Sequence, residues 1–395
     1  MTGNTHPFGR NAFLVGLASE LDPPVVERRL ARERYRDLGD WLKLHAADGA
    51  RDIEVYPQGS GNLGTTNRDP FTGEFDIDLV VRVAYAKQEI TQQELNELVN
   101  GWLGSYVSAR QREDHPLAPK ALSRGKRAWT LYYERFHMDV LPVVPDVYHE
   151  LLALLGDPSW LTDKTLRLWQ PTNPRGFAEW FRTVSSAEFY ERKVALAKRA
   201  DVNVDDLPDD DVTTTLQMAV RLLKRHRDTM FRDDPDKLAP PSALITALAA
   251  TAYAVCTPGG GEIADVLEQI VVGMPDGIGR TSAGDLLVVN PTCEEENYAD
   301  RYQGRMDKEE ALHGWLKQAA VDLGAINTAH GAHVVTKRID AVFGAGLGAR
   351  VAKRLGLDAQ QMRGVGAVAA TGTGLLRVDP PSAHRQHKFY GDPQA

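Results

Sequence analysis

Residues 58–83, QGSGNLGTTNRDPFTGEFDIDLVVRV, set two acidic side chains on one face of a strand otherwise made of Phe75, Ile77, Leu79, Val80 and Val81. Side chains two apart on a strand point the same way, so Asp76 and Asp78 project together. A carboxylate pair in apolar company is costly unless a cation neutralises it. Hard divalent cations take oxygen ligands, and Mg²⁺ usually shares one or two carboxylates with a substrate's phosphates. The Gly59-Ser60 turn just upstream offers backbone N–H groups and a hydroxyl to such phosphates. Asp-x-Asp alone is common on solvated strand faces. Its weight here comes from the strand before it (Ile53, Val55), the Gly-Ser turn and the apolar strand that carries it.

A second strand is predicted over Leu131–Val144. It puts Phe136, Met138 and Val140 on one face and His137, Asp139 and Leu141 on the other. Read alone, Asp139 is an edge-strand acid. Beside the Asp76/Asp78 pair it is the third carboxylate that a two-metal site requires.

The rest of the chain supplies context. With 395 residues there is room for one large domain or two ordinary ones, and 43% apolar and 25% charged residues are average for a globular protein. No apolar run is long enough for a membrane span, and the N-terminus does not read as a signal peptide. Cys256 and Cys293 fit no zinc spacing and suit a reducing, cytoplasmic compartment. A net charge of −8 argues against a generally basic nucleic-acid-binding surface.

Asp22-Pro23-Pro24 opens a helix predicted over Val25–His45, whose arginine cluster reads as a solvated face. A helix over Glu89–Tyr106 follows, then a surface loop over 110–127 containing Arg124, Lys126 and Arg127. Residues 157–184, rich in Trp and Pro, predict an ordered connector. The aspartate-rich loop Asp201–Asp211 reads as solvated, with Asp211 or Thr213 capping the next helix. From Val212 the apolar period turns helical: Leu216–Met230 carries Arg221, Lys224, Arg225 and Arg227, and Pro241–Tyr253 starts on Ser242, an N-cap residue by type. Asn290-Pro291 to Tyr302 predicts a turn into an acidic helix. Further helices are expected over Asp307–Leu323 and Ala332–Leu355, before a tail with little to bury.

Four segments together, Gln58-Gly59-Ser60 with Gly64-Thr65, Phe75-Asp76-Ile77-Asp78, Phe136-His137-Met138-Asp139-Val140 and Leu223-Lys224-Arg225-His226-Arg227-Asp228, resemble the CD-NTase family, bacterial relatives of cyclic GMP–AMP synthase and oligoadenylate synthase. Pro174-Arg175-Gly176 with Trp180-Phe181, Pro240-Pro241-Ser242, and Asn290-Pro291 with Glu296-Asn297-Tyr298 support the match, which spans roughly residues 50–305. The Gly-Ser/Asp-x-Asp/Asp set belongs to all polymerase-β-like nucleotidyltransferases; the Lys224 helix and the Asn290-Pro291 segment narrow it to this branch.

The resemblance implies an α+β fold: a nucleotidyltransferase lobe with a mixed sheet and a long N-terminal helix (1–170), a helical lobe closing the nucleotide cleft (171–363), and a flexible tail (364–395). It implies Asp76, Asp78 and Asp139 as ligands of two Mg²⁺ ions, replaceable by Mn²⁺. Asp139 serves the nucleophile-side metal, and Asp76 and Asp78 bridge. Gln58, Gly59 and Ser60 would hold the donor's phosphates, with Lys224 and Ser242 closing on them. The implied activity is synthesis of a cyclic di- or trinucleotide from NTPs, ATP among them, in antiphage defence, in the cytoplasm, with a regulatory or conjugating protein as an expected partner. The absence of a His/Cys zinc insertion argues against a DNA activator. Pro241 stands where the family pattern has Thr or another small residue, which weakens the role of Ser242. The competing readings are a nucleotidyltransferase that adds one NMP to a small molecule, protein or tRNA end, and a non-catalytic nucleotide-binding scaffold.

Overall fold

The structure is a computed structural model that describes residues 9–45, 52–124, 128–151, 153–162, 169–256, 261–364, 369–370 and 376–377. Lys126, Arg127 and nearly all of the expected tail lie outside the described residues.

The chain begins with α1 (Arg10–Leu21), which the sequence pattern leaves unassigned, and α2 (Val25–His45), entered through Asp22-Pro23-Pro24 as expected. Then come β1 (Ile53–Gln58), α3 (Gly59–Leu63), β2 (Phe75–Val83), α4 (Gln92–Arg112), β3 (Ala121–Arg124), β4 (Trp129–Tyr132) and β5 (Phe136–Pro145). A short α5 (Val147–Glu150) leads to β6 (Ser159–Leu161) and β7 (Gln170–Thr172). These strands form one seven-stranded sheet in the order β1-β2-β5-β4-β3, with β6 on β5 and β7 on β6. Only β2 and β5 pair in parallel. A parallel pair needs a crossover, and α4 lies on it. Thr91 starts α4 with a capping box to Glu94, and Leu95, Val99, Leu103 and Tyr106 are buried.

Alternation along β2 and β5 sorts the sheet's two faces. Phe75, Ile77, Leu79, Val81 and Val83 join Phe136, Met138 and Val140 in a core that also holds Leu38, Trp41 and Leu42 of α2 and the inward side chains of α4. The opposite face carries Asp76, Asp78, His137 and Asp139 at one end and closes over Tyr56, Val80 and Val143 at the other.

Several boundaries differ from the sequence reading for identifiable reasons. The strand expected over Leu131–Val144 is two strands, because the Tyr133 N–H donates to the Phe136 carbonyl and closes a hairpin. The loop expected over 110–127 contains the end of α4 and the edge strand β3. The arginines of α2 are not all solvated: Arg28 donates to both oxygens of Asp22, at 2.9 and 2.7 Å, and Arg32 pairs with Asp210 of the acidic loop.

After β7 the chain is mostly helical: α6 (Pro174–Val184), α7 (Ser186–Ala200), α8 (Thr215–Met230), α9 (Ser242–Cys256) and α10 (Ile263–Gly273). Thr214, not Asp211 or Thr213, caps α8, since its hydroxyl accepts from the Gln217 N–H in a capping box. Short strands β8 (Gly279–Arg280), β9 (Leu286–Leu287), β10 (Val289–Asn290) and β11 (Cys293–Asn297) replace the expected acidic helix after Asn290-Pro291. The helix expected over Ala332–Leu355 breaks at Gly344 and Gly346, whose φ values of +117° and +83° no helix accommodates. The result is α12 (Ala332–Phe343) and α13 (Leu347–Gly364), after α11 (Met306–Asn327). A second core gathers α6 and α8 to α13, and α1 enters it through Phe13, Leu14, Leu17, Ala18 and Leu21. The first helix of the chain thus packs with the later helices and not with the sheet.

Glu296 on β11 gathers donors from three places, one of them Asn290. Its carboxylate accepts from Thr172 Oγ1 at 2.9 Å, the Asn173 N–H at 3.0 Å and Asn290 Nδ2 at 2.7 Å. It therefore ties the end of the sheet to the helical part. Glu296→Ala leaves those donors buried and unpaired, which is expected to cost about 2–3 kcal/mol. A denaturant melt reads this directly; an unchanged midpoint would show the cluster to be dispensable.

Candidate active site

β2 and β5 run in register so that Asp78 lies beside Asp139 and Asp76 beside His137. Neighbouring strands are roughly 4.8 Å apart. The two segments singled out in the sequence are thereby brought to one sheet face, side by side. Asp139 accepts from Thr130 Oγ1 of β4 at 2.6 Å, and Asp76 Oδ1 lies 3.5 Å from His137 Nδ1. Burial first, then the charges of Asp139 and Asp76, push the Asp78 carboxyl up to about 7.

Among the described residues no group of three or more His, Cys, Asp or Glu side chains stands gathered into a metal cage. Asp76 leans onto His137 and Asp139 onto Thr130. The donor set still fits a hard divalent ion. It is all oxygen, and the strain recorded by Asp78 is one that a bound cation relieves.

The residues upstream sit where the sequence reading puts them, in a different local form. Gln58 pairs with Asp78 across β1 and β2, and Gly59 starts the short helix α3 rather than a bare turn. Gly59 has φ +55°, and a Cβ there would stand 2.6 Å from Asp78 Oδ2. Ser60 Oγ accepts from Thr66 Oγ1 at 3.3 Å, and Gly64 closes α3 in the left-handed region.

The second wall comes from α8. Gln217 Nε2 donates to the Leu63 carbonyl at 2.9 Å, Arg221 Nη2 to the Gly64 carbonyl at 2.8 Å, and Lys224 Nζ to the Thr65 carbonyl at 2.8 Å. Steps of four and three residues keep all three on one helix face. Asn67 Nδ2 returns a bond to the Arg221 carbonyl at 2.9 Å. Lys224 is thus buried, and burial pushes its ammonium down to about 8. Ser242, at the start of α9, accepts from Arg227 Nη2 at 3.1 Å. Asp76 and His137 share a cleft of about 740 Å³ with Asn67, Phe71, Arg225 and Arg227.

Sequence reasoning placed His137 on the acidic face but gave it no role, named Arg221 only among the basic residues of its helix, and left Gln217 out. The signal was present: polar residues at 217, 221 and 224 recur at helical spacing, and the residues between 216 and 223 are otherwise apolar.

This sheet and the helical wall across from its acidic face make up an α+β nucleotidyltransferase fold. No family model matches the chain. A c-di-GMP synthase from Roseivirga ehrenbergii is 25% identical over 383 residues, covering 95% of each chain. The GTP-bound CD-NTase CdnG of Bradyrhizobium diazoefficiens superposes with a TM-score of 0.67 at 22% identity, over 87% of this chain and 97% of that one. CdnC of Escherichia coli MS115-1, solved in complex with HORMA-deltaN, superposes with a TM-score of 0.61 at 14% identity, over 87% and 98%. The chain thus shares its fold with the CD-NTases CdnG and CdnC. Among the described residues no helix is long and apolar enough to cross a membrane.

Proposed function

We propose that this protein makes a cyclic di- or trinucleotide from NTPs, as a cytoplasmic second-messenger synthase of antiphage signalling. The observation that carries this reading is the register of Asp78 with Asp139, on the sheet face where Asp76, two residues away, lines the cleft of about 740 Å³. Asp76, Asp78 and Asp139 would hold two Mg²⁺ ions, whose chemistry is to acidify a ribose hydroxyl and to neutralise the triphosphate it attacks. The hydroxyl oxygen bonds to the α-phosphorus, the α–β phosphoanhydride bond breaks, pyrophosphate leaves with the electron pair, and the hydroxyl proton passes to solvent. The chain's contribution is positioning and a preorganised field. In this reading Gly59 and Ser60 lie along the donor's phosphates, and residues 171–363, with α1 packed among their helices, close over the remainder of residues 1–170.

A ring needs a second bond of the same kind. The linear intermediate re-enters the cleft reversed, so one site serves every step. The relative named a c-di-GMP synthase makes GTP the first nucleotide to test, with ATP beside it. The experiment is incubation with labelled NTPs and Mg²⁺ or Mn²⁺, phosphatase treatment and mass spectrometry. A phosphatase-resistant product is expected. No product until a separate acceptor is added would overturn the reading in favour of single-NMP transfer.

A further inference from the structure

Alternation along β4 sends Trp129 and Leu131 into the core and leaves Thr130 and Tyr132 on the acidic face of the sheet. The antiparallel register sets Thr130 directly opposite Asp139, and Tyr132 opposite His137. One polar rung therefore crosses five strands: Gln58, Asp78, Asp139, Thr130 and Ser123. Within it the contacts are specific. Thr130 Oγ1 donates to Asp139 Oδ1 at 2.6 Å, the length of a charge-assisted O–H···O⁻ bond. Ser123, the next residue along the rung, turns elsewhere: its Oγ donates to the Tyr132 hydroxyl at 3.1 Å. The strand expected from the sequence starts at Leu131, so Thr130 falls just outside it and has no role there.

The three aspartates are not held alike. Asp76 Oδ1 lies 3.5 Å from His137 Nδ1, beyond the usual range of a hydrogen bond. Asp78 is hydrogen-bonded by no side chain among the described residues; burial and its two acidic neighbours dominate its surroundings. Of the three, Asp139 is the one whose carboxylate is fixed by a firm hydrogen bond. Threonine suits that task. Branching at Cβ keeps its χ1 stiff, and Thr130 is half-buried, so its hydroxyl is partly shielded from water. A hydroxyl has one hydrogen to give, and a carboxylate has about four acceptor positions. The bond to Oδ1 therefore leaves Oδ2 of Asp139 wholly available to a ligand.

We infer that Thr130 is a positioning residue of the nucleotidyl-transfer site: by holding Oδ1 it fixes the plane of the Asp139 carboxylate and presets Oδ2 as a ligand for the divalent ion. Thr130 acts through Asp139 and has no contact of its own with nucleotide or reacting atoms. The inference rests on the reading of the three aspartates as a metal site, and not on ring closure. A threonine that served only the sheet would influence melting and nothing else.

The test is Mn²⁺ binding to the full chain, followed by loss of the EPR signal of free Mn²⁺, beside the Mg²⁺ concentration that half-saturates turnover of NTP. Thr130→Val keeps the shape and the branched Cβ, removes the hydroxyl hydrogen, and should melt close to wild type. It is expected to weaken Mn²⁺ binding about 10- to 100-fold and to raise the Mg²⁺ requirement by a similar factor. At saturating Mg²⁺ its KM for NTP should stay within about twofold of wild type. Thr130→Ser restores the hydroxyl and should bring both metal readouts back to within about threefold of wild type. Ser123→Ala removes the neighbouring hydroxyl of the same rung and should change neither. Wild-type Mn²⁺ binding in Thr130→Val, no recovery in Thr130→Ser, or an equal loss in Ser123→Ala each overturns the assignment. A wild-type chain that binds no Mn²⁺ overturns the metal site together with it. An intact site that is indifferent to Thr130 overturns this inference alone, so the two failures are separable.

Discussion

Asp78→Asn is expected to lower nucleotidyl transfer by on the order of 10³-fold or more while leaving the protein folded. Asp78 is the central acid of the site. It stands in register with Asp139, two residues from Asp76, under enough burial and like charge to push its carboxyl up to about 7. The amide has the same shape but cannot balance a divalent ion's charge. In the metal-free protein it also removes one of three repelling carboxylates, so the variant should melt no lower than the wild type, and somewhat higher. If the three aspartates hold Mg²⁺ as proposed, the ion should raise the wild-type melting temperature by mass action. The variant should lose most of that rise. Activity and two melts, with and without Mg²⁺, therefore give three readouts from one substitution. Activity above about a tenth of wild type, or an unchanged Mg²⁺ effect on melting, would show that Asp78 does not serve the metal site.

What the sequence made legible follows from how local each signal is. Asp76, Asp78 and Asp139 were readable because strand alternation is a period of two, and each strand declares its own faces. That Asp78 would stand beside Asp139, and not one residue off, was not readable, since register between distant strands depends on the crossover through α4. The Lys224 helix was legible as a helix, but the loop carbonyls that its polar residues meet were not. Arg221, Lys224 and Arg225 are all buried, because their partners are the carbonyls of Gly64, Thr65 and Phe343, far away in sequence. Glu294 to Glu296 looked like an acidic helix; Glu296 is instead fixed by Thr172, Asn173 and Asn290, and the segment pairs as a strand. In each case the missing information was a partner distant in sequence, about sixty residues for the strand register and more than a hundred for the carbonyls that hold α8 and for Thr172 and Asn173.

Gly59→Ala is expected to cost about 100-fold in activity with only a moderate loss of stability, and the reason is geometric. Gly59 adopts φ +55°, a conformation that costs a residue with a Cβ about 1–2 kcal/mol. The greater effect lies across the strand pair. The new Cβ would come within 2.6 Å of Asp78 Oδ2, so the carboxylate must move aside. Displacing a reacting or ligating group by about 1 Å is enough for a hundredfold loss. Gly61→Ala is the matched control on the same helix. Its Cβ would meet nothing nearer than Ile77 Cγ2 at 3.7 Å, an ordinary contact, and no left-handed φ is involved. Gly61→Ala should therefore keep most of the activity. With Mg²⁺ titrated against each variant, the Gly59 change should raise the metal concentration needed for half-maximal activity, and the Gly61 change should not. Equal behaviour of the two variants would show that the Gly-Ser step is held by something other than the room that Asp78 needs.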